Sequence, residues 1–105
     1  MKFNTGTSLL DAVVLAVVSA EAEGTYGYKI TQDVRTVLDV SESSLYPVLR
    51  RLQVGGLLET YDQEFNGRNR RYYKISGQGK SELESYKVDW NTYVAKVNGI
   101  LGAGR

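Results

Sequence analysis

Ser41-Glu42-Ser43-Ser44-Leu45-Tyr46-Pro47-Val48-Leu49-Arg50-Arg51-Leu52-Gln53-Val54-Gly55-Gly56 is the stretch on which the fold turns. Leu45, Val48, Leu49 and Leu52 recur at steps of three and four, which puts all of them on one side of a helix. Ser43, Pro47, Arg50 and Val54 fall on the opposite side, with Tyr46 and Arg51 on the flanks. The helix is expected from about Glu42 or Ser44 to Gln53, ending at Gly55-Gly56. Pro47 favours the later start with Ser43 or Ser44 as cap, because a proline in the first turn gives up only an N–H that has no helical partner. The outward surface near the start of this helix then holds hydroxyls, a phenol, a pyrrolidine ring and two guanidinium groups.

Working outward, Tyr26 to Leu38 reads as a preceding helix, with Thr25 as cap and Ile30, Val34, Val37 and Leu38 on its apolar side; Asp39-Val40-Ser41 breaks it. Downstream, Leu57 to Glu64 alternates as a strand, 65–69 turns, and Arg70 to Ser76 returns as a second strand. From Phe65 to Lys74 this hairpin carries Arg68, Arg70, Arg71 and Lys74 and no acid, so it concentrates positive charge in a chain whose net charge is only +1. Two helices joined by a short break and followed by a basic hairpin are the parts of a helix-turn-helix with a wing.

Both ends of the chain point to self-association. Ser8 to Glu23 is expected to be the first helix, with Thr7 or Ser8 as cap, Asp11 in the first turn and Gly24 as the stop. Its Leu9, Leu10, Val13, Val14, Leu15, Val17 and Val18 leave almost no polar face, more apolar surface than so small a body covers unaided. Gly77 to Leu101 reads as one long helix, with residues 102–105 as a frayed end. Leu83, Tyr86, Trp90, Tyr93, Val97 and Ile100 form an uninterrupted seam of threes and fours along it, and Val94 and Leu101 widen the stripe, the pattern of a helix that packs on its own domain and on a partner copy, against a purely intramolecular core helix.

A length of 105 residues bounds the chain to about one domain, and 42% hydrophobic with 24% charged residues is an ordinary globular composition. The absence of Cys and His removes disulfides, thiolate nucleophiles, imidazole relays and most transition-metal sites, and no close acidic cluster offers carboxylate chemistry. No enzyme, metal or cofactor is expected. The run Leu9 to Ala22 imitates a signal peptide, but Asp11 interrupts it and only Lys2 precedes it; it is also too short to span a bilayer, so a cytoplasmic location is expected.

The segments GTYGYKITQDV, VSESSLYPVLRRLQVGGLLE and GRNRRYYKISGQGKSELE resemble the PadR family of bacterial transcriptional regulators across about residues 8–101. Tyr26-Gly27, Ser44-Leu45-Tyr46-Pro47, Arg51-Leu52, Gly56-Leu57-Leu58, Arg71-Tyr72-Tyr73 and Gly79 stand in that family's order and approximate spacing. Gln53, where a Glu is common, and Ser43, where a Gly is common, depart from the pattern and leave the operator sequence open. The resemblance implies a homodimer that binds operator DNA through its third helix and wing, dimerises through its C-terminal helix, and acts as a repressor released by a small molecule. The single C-terminal helix is similar to the small subfamily that includes the lactococcal multidrug-binding regulator, in which paired tryptophans hold flat aromatic drugs. Trp90 matches that tryptophan by its place in the helix.

The expected architecture is thus mainly α with a small β-hairpin: a winged helix-turn-helix over residues 1–76 and a dimerisation helix over residues 77–105, together one compact unit. Ser43, Ser44, Tyr46, Pro47, Arg50, Arg51, Arg68, Arg70 and Arg71 are the expected contacts to double-stranded DNA, because guanidinium groups fork onto guanine or phosphate and hydroxyls bond either. A small aromatic or cationic effector is expected at Trp90, with Ser8, Asp11 and Leu15 lining the space, against plain interface core at Trp90 and a capping role for Asp11. Two other function classes compete: a small-molecule-binding module, and a protein-interaction adaptor on the same scaffold.

Overall fold

The structure, a computed structural model, describes residues 6–102, and for Thr7 the backbone alone. In chain order it contains α1 (Thr7–Ser19), β1 (Thr25–Tyr26), α2 (Gly27–Val34), α3 (Glu42–Val54), β2 (Leu58–Phe65), β3 (Arg68–Ile75) and α4 (Gly77–Leu101). The strands form one antiparallel sheet in the order β1-β3-β2. This is a winged helix with a long C-terminal helix, as the element pattern predicts.

The core forms where the apolar faces meet. Leu45, Leu49 and Leu52 of α3 close on Ile30 and Val34 of α2, on Val14, Leu15 and Val18 of α1, and on Leu58, Tyr73 and Ile75 of the sheet, all buried. Each fully buried Leu contributes about 2–3 kcal/mol of burial energy, so Leu49→Ala would cost about 2–5 kcal/mol once the cavity is included. Leu83 and Tyr86 of α4 complete the core, 6% and 4% exposed. The remainder of α4 projects beyond it: a 25-residue helix is about 37 Å long, and the molecule measures 57 × 26 × 21 Å.

Several boundaries differ from the expectations, each for a local reason. Helix α1 begins at Thr7 with Gly6 as cap residue and no side-chain cap, which puts Ser8 inside the helix and Asp11 beyond its first turn. It ends at Ser19 because the backbone turns there, Glu21 N–H donating to the Val18 carbonyl and Gly24 N–H to that of Glu21. Thr25 is no helix cap: with Tyr26 it forms β1, pairing with Tyr73 and Tyr72, so α2 starts only at Gly27. Helix α2 stops at Val34, where Val37 and Leu38 N–H groups both fold back on the Val34 carbonyl.

Ser41, not Ser43 or Ser44, caps α3, its hydroxyl accepting from the Ser44 N–H at 3.1 Å. Pro47 therefore lies inside the helix, at the cost of the bond its N–H would have made to the Ser43 carbonyl. Between β2 and β3 the turn is two residues, Asn66 and Gly67, both at positive φ (53° and 77°), rather than five. An Asn-Gly pair in that conformation matches the twist of a hairpin, so pairing extends to Phe65 and Arg68 at the tip. The expected frayed end at residues 103–105 lies outside the described residues.

Candidate nucleic-acid interface

Ser43, Ser44, Tyr46, Pro47 and Arg50 all lie on the exposed side of α3. Ser43 and Ser44 hydroxyls meet the Ser41 hydroxyl at 3.1 and 2.9 Å, so the first turn carries a cluster of three. Tyr46 lies against Gly27, where an added Cβ would stand 2.7 Å from the phenol oxygen. Glycine there lets the Tyr46 ring cross the start of α2 and still stay 45% exposed.

Beside α3 the wing closes a groove of about 790 Å³. Tyr46 lines it together with Tyr26 of β1, Tyr28 of α2 and Arg68, Arg70 and Arg71 of β3. The structure thus brings one predicted α3 residue and all three wing arginines to one concave surface. Arg68 sits at the hairpin tip opposite Phe65, and neither it nor Arg50 has an ion-pair partner among the described residues. Arg71 donates to its cross-strand neighbour Asp62 at 3.2 Å, and that contact, with a further one from Asn69, holds the Asp62 carboxyl below the usual range. Arg70 is stacked, its guanidinium carbon 3.9 Å from the Tyr26 ring centre and 3.8 Å from that of Phe65. Sequence reasoning missed Tyr26, Tyr28, Phe65 and Asn69 as parts of this groove; the Asn66-Gly67 turn signal, read as two residues, would have brought Phe65 to the tip.

Arg51 does not join this set. Its two terminal nitrogens donate to the two carboxylate oxygens of Asp11 at 2.9 and 2.7 Å, tying α3 to α1 and raising the guanidinium pKa further. The pair also occupies Asp11, which with Ser8 and Leu15 was expected to line a ligand space. Leu15 is fully buried in the core, Ser8 is 6% exposed, and none of the three reaches the surface that Trp90 borders.

That surface is a second groove, about 420 Å³, between α1 and α4. Trp90, Leu83 and Tyr86 form one wall, Leu9, Ala12, Val13 and Ala16 of α1 the other, and Val37 and Leu38 its end. Because α1 is apolar almost all round, its sequence did not reveal which side would face the core and which the groove. Of the six residues predicted to form the α4 seam, Leu83 and Tyr86 are used inside the chain's own core. Trp90 and Tyr93 pack ring to ring at 6.0 Å and stay 41% and 37% exposed, and Ile100 is 84% exposed.

A helix-turn-helix with an exposed, hydroxyl-rich start to its second helix and a cationic two-stranded wing defines the winged-helix class of transcription factors. Residues 14–85 match the PadR-like family of transcriptional regulators, and the chain belongs to that family. A crystal structure from Streptococcus mutans is 34% identical, with a TM-score of 0.85, and the match covers 98% of this chain and 95% of that one. A PadR-like transcriptional regulator from Bacillus cereus is 31% identical, with a TM-score of 0.82 over 96% of this chain and 98% of that one. The fold is also that of Bacillus subtilis PadR, solved in complex with operator DNA, at a TM-score of 0.67 and 20% identity over 76% of this chain and 47% of that one. No described helix is long and apolar enough to cross a membrane.

Proposed function

We propose that this regulator is a homodimeric repressor that binds an approximately palindromic operator and is released by a small aromatic or cationic effector. The division of labour is between the winged helix-turn-helix of residues 1–76 and the dimerising C-terminal segment of residues 77–105, to which α4 belongs. The observation that carries the DNA reading is the single groove in which Tyr46 of α3 and Arg68, Arg70 and Arg71 of the wing converge. Arg50 and the Ser43 and Ser44 hydroxyls enter the major groove, while the wing tip follows the phosphate backbone.

The dimer reading rests on the exposed apolar positions Trp90, Tyr93, Ile100 and Leu101 along the projecting part of α4. Burying them against a second copy removes that surface from water and sets two recognition helices roughly 34 Å apart, one turn of duplex. The effector reading rests on the apolar groove between α1 and α4, which Trp90 borders.

Footprinting against fragments of the host's own DNA, with and without flat aromatic cations, tests all three parts. The expected result is a two-fold symmetric protected site whose occupancy falls when the compound is added. A protected site without symmetry would overturn the dimer reading, and absence of salt-dependent binding to any duplex would overturn the DNA reading.

A further inference from the structure

The register of the wing fixes which side chains share a face. Phe65 pairs with Arg68, Gln63 with Arg70 and Tyr61 with Tyr72, so Phe65, Arg68, Arg70, Tyr72 and Tyr61 all stand on one side of the hairpin. Tyr26 of β1 pairs with Tyr72 from the other edge of β3. Along that side runs one continuous stack. Tyr61 lies on Tyr72 at 5.2 Å and nearly parallel, Tyr72 meets Tyr26 edge-on at 5.9 Å, and the Arg70 guanidinium lies over both Tyr26 and Phe65. The Tyr61 hydroxyl donates to the Glu23 carbonyl and anchors the far end to the chain before β1.

A guanidinium held over two rings keeps its edge for hydrogen bonding, and that edge carries all of its N–H donors in one plane. Arg70 has no acidic partner among the described residues and lines the groove beside α3. Arg68, two residues nearer the tip, has no such ring contact among the described residues.

Resting on the DNA-binding reading above, we infer that Tyr26 and Phe65 are positioning residues that hold Arg70 as a preset, in-plane clamp for one backbone phosphate of the duplex, while Arg68 contributes charge at the hairpin tip. The stack also joins the wing tip to the residues that begin α2, so the clamp and the helix-turn-helix keep a fixed relation. An unstacked Arg would have to be ordered on binding; this one is ordered beforehand.

Fluorescently labelled mixed-sequence duplex DNA, titrated with the full chain at several salt concentrations, tests the clamp. Phe65→Leu removes no charge. If the ring holds Arg70 in place, the variant still loses one phosphate contact: the slope of log K against log salt falls by about 0.9, and affinity drops by about 5- to 30-fold. Arg70→Lys, which keeps the charge but not the planar fork, gives a similar loss of affinity, and adding Phe65→Leu to it changes little further. Circular dichroism of each variant matching the parent excludes unfolding as the cause. An unchanged salt slope in Phe65→Leu, or full additivity with Arg70→Lys, overturns the clamp while leaving the DNA reading intact. Failure of the parent chain to bind duplex at low salt overturns the DNA reading itself.

Discussion

Arg51 and Asp11, 40 residues apart in the chain, are joined by two hydrogen bonds of 2.9 and 2.7 Å, so α3 is fastened to α1. The pair is unequal, because the Asp11 side chain is 7% exposed and that of Arg51 50%. Removing Arg51 strands a nearly buried carboxylate, whereas removing Asp11 leaves a cation that already reaches water. Arg51→Met is therefore expected to cost about 2–4 kcal/mol and Asp11→Asn about 1–2 kcal/mol. Urea denaturation midpoints read the difference, and the reverse order would contradict this assignment. Since Arg51 is engaged within the protein, its loss should leave the salt slope of DNA binding unchanged.

Arg50 and Arg68 are expected to behave differently from each other. Arg50→Ala should cost about 1–3 kcal/mol of affinity for a selected operator and relax its sequence preference, because a helix-borne guanidinium reads base edges. Arg68→Ala should weaken binding to all sequences alike and lower the salt slope by about one unit. Binding curves on selected and scrambled duplexes separate the two; equal effects on specificity would refute the division.

Gly27→Ala is a test of how Tyr46 is seated. The new Cβ would stand 2.7 Å from the Tyr46 hydroxyl and 2.9 Å from its ring, so the phenol must swing away from α2. We expect about 1–3 kcal/mol of lost stability from the overpacking. We also expect Gly27→Ala, Tyr46→Phe and the double variant to be non-additive in DNA affinity, measured by fluorescence anisotropy. Strict additivity would show that the two do not act through one contact.

Ile100→Glu should separate the proposed dimer without unfolding the chain. Ile100 is 84% exposed and touches no core, so the substitution costs little within one copy but places a charge in an apolar interface. Sedimentation at micromolar concentration should find the parent as two copies and the variant as one, with unchanged far-ultraviolet circular dichroism. Trp90 emission should shift to longer wavelength in the variant. Identical sedimentation of the two would remove α4 from the interface.

Tyr73 and Tyr86 provide an alkaline limit. Burial pushes the phenol pKa of both above the ordinary 10.0, with Asp11 adding to the shift at Tyr86. A group whose folded pKa is raised contributes stability that is complete below its unfolded value and is lost as pH climbs through the folded one. The contribution of these two tyrosines to the unfolding free energy should accordingly be flat up to about pH 9.5 and fall above it. Absorbance at about 295 nm should show two tyrosines ionising late, and replacing both by Phe should flatten the decline.

The helix-turn-helix, the wing, the long last helix and the buried side of α3 were legible in the order of residues, because period and turn chemistry are local properties. Leu45, Val48, Leu49 and Leu52 are buried as their spacing requires. Caps and ends were less legible: Ser41, Ser43 and Ser44 compete for one capping position, and only the backbone path selects Ser41. What tertiary structure alone decided was partnership. The sequence supplied Arg51 as one more outward cation and Asp11 as one more early acid, and the packing angle of α1 against α3 turned them toward each other. The sequence likewise supplied Arg70 among four wing cations, and a two-residue strand at Thr25–Tyr26, too short to carry a periodic signal, placed a ring beneath it. Spacing along a chain determines which face a side chain takes, but which residue it meets depends on contacts between segments far apart in sequence, and those exist only once the core has closed.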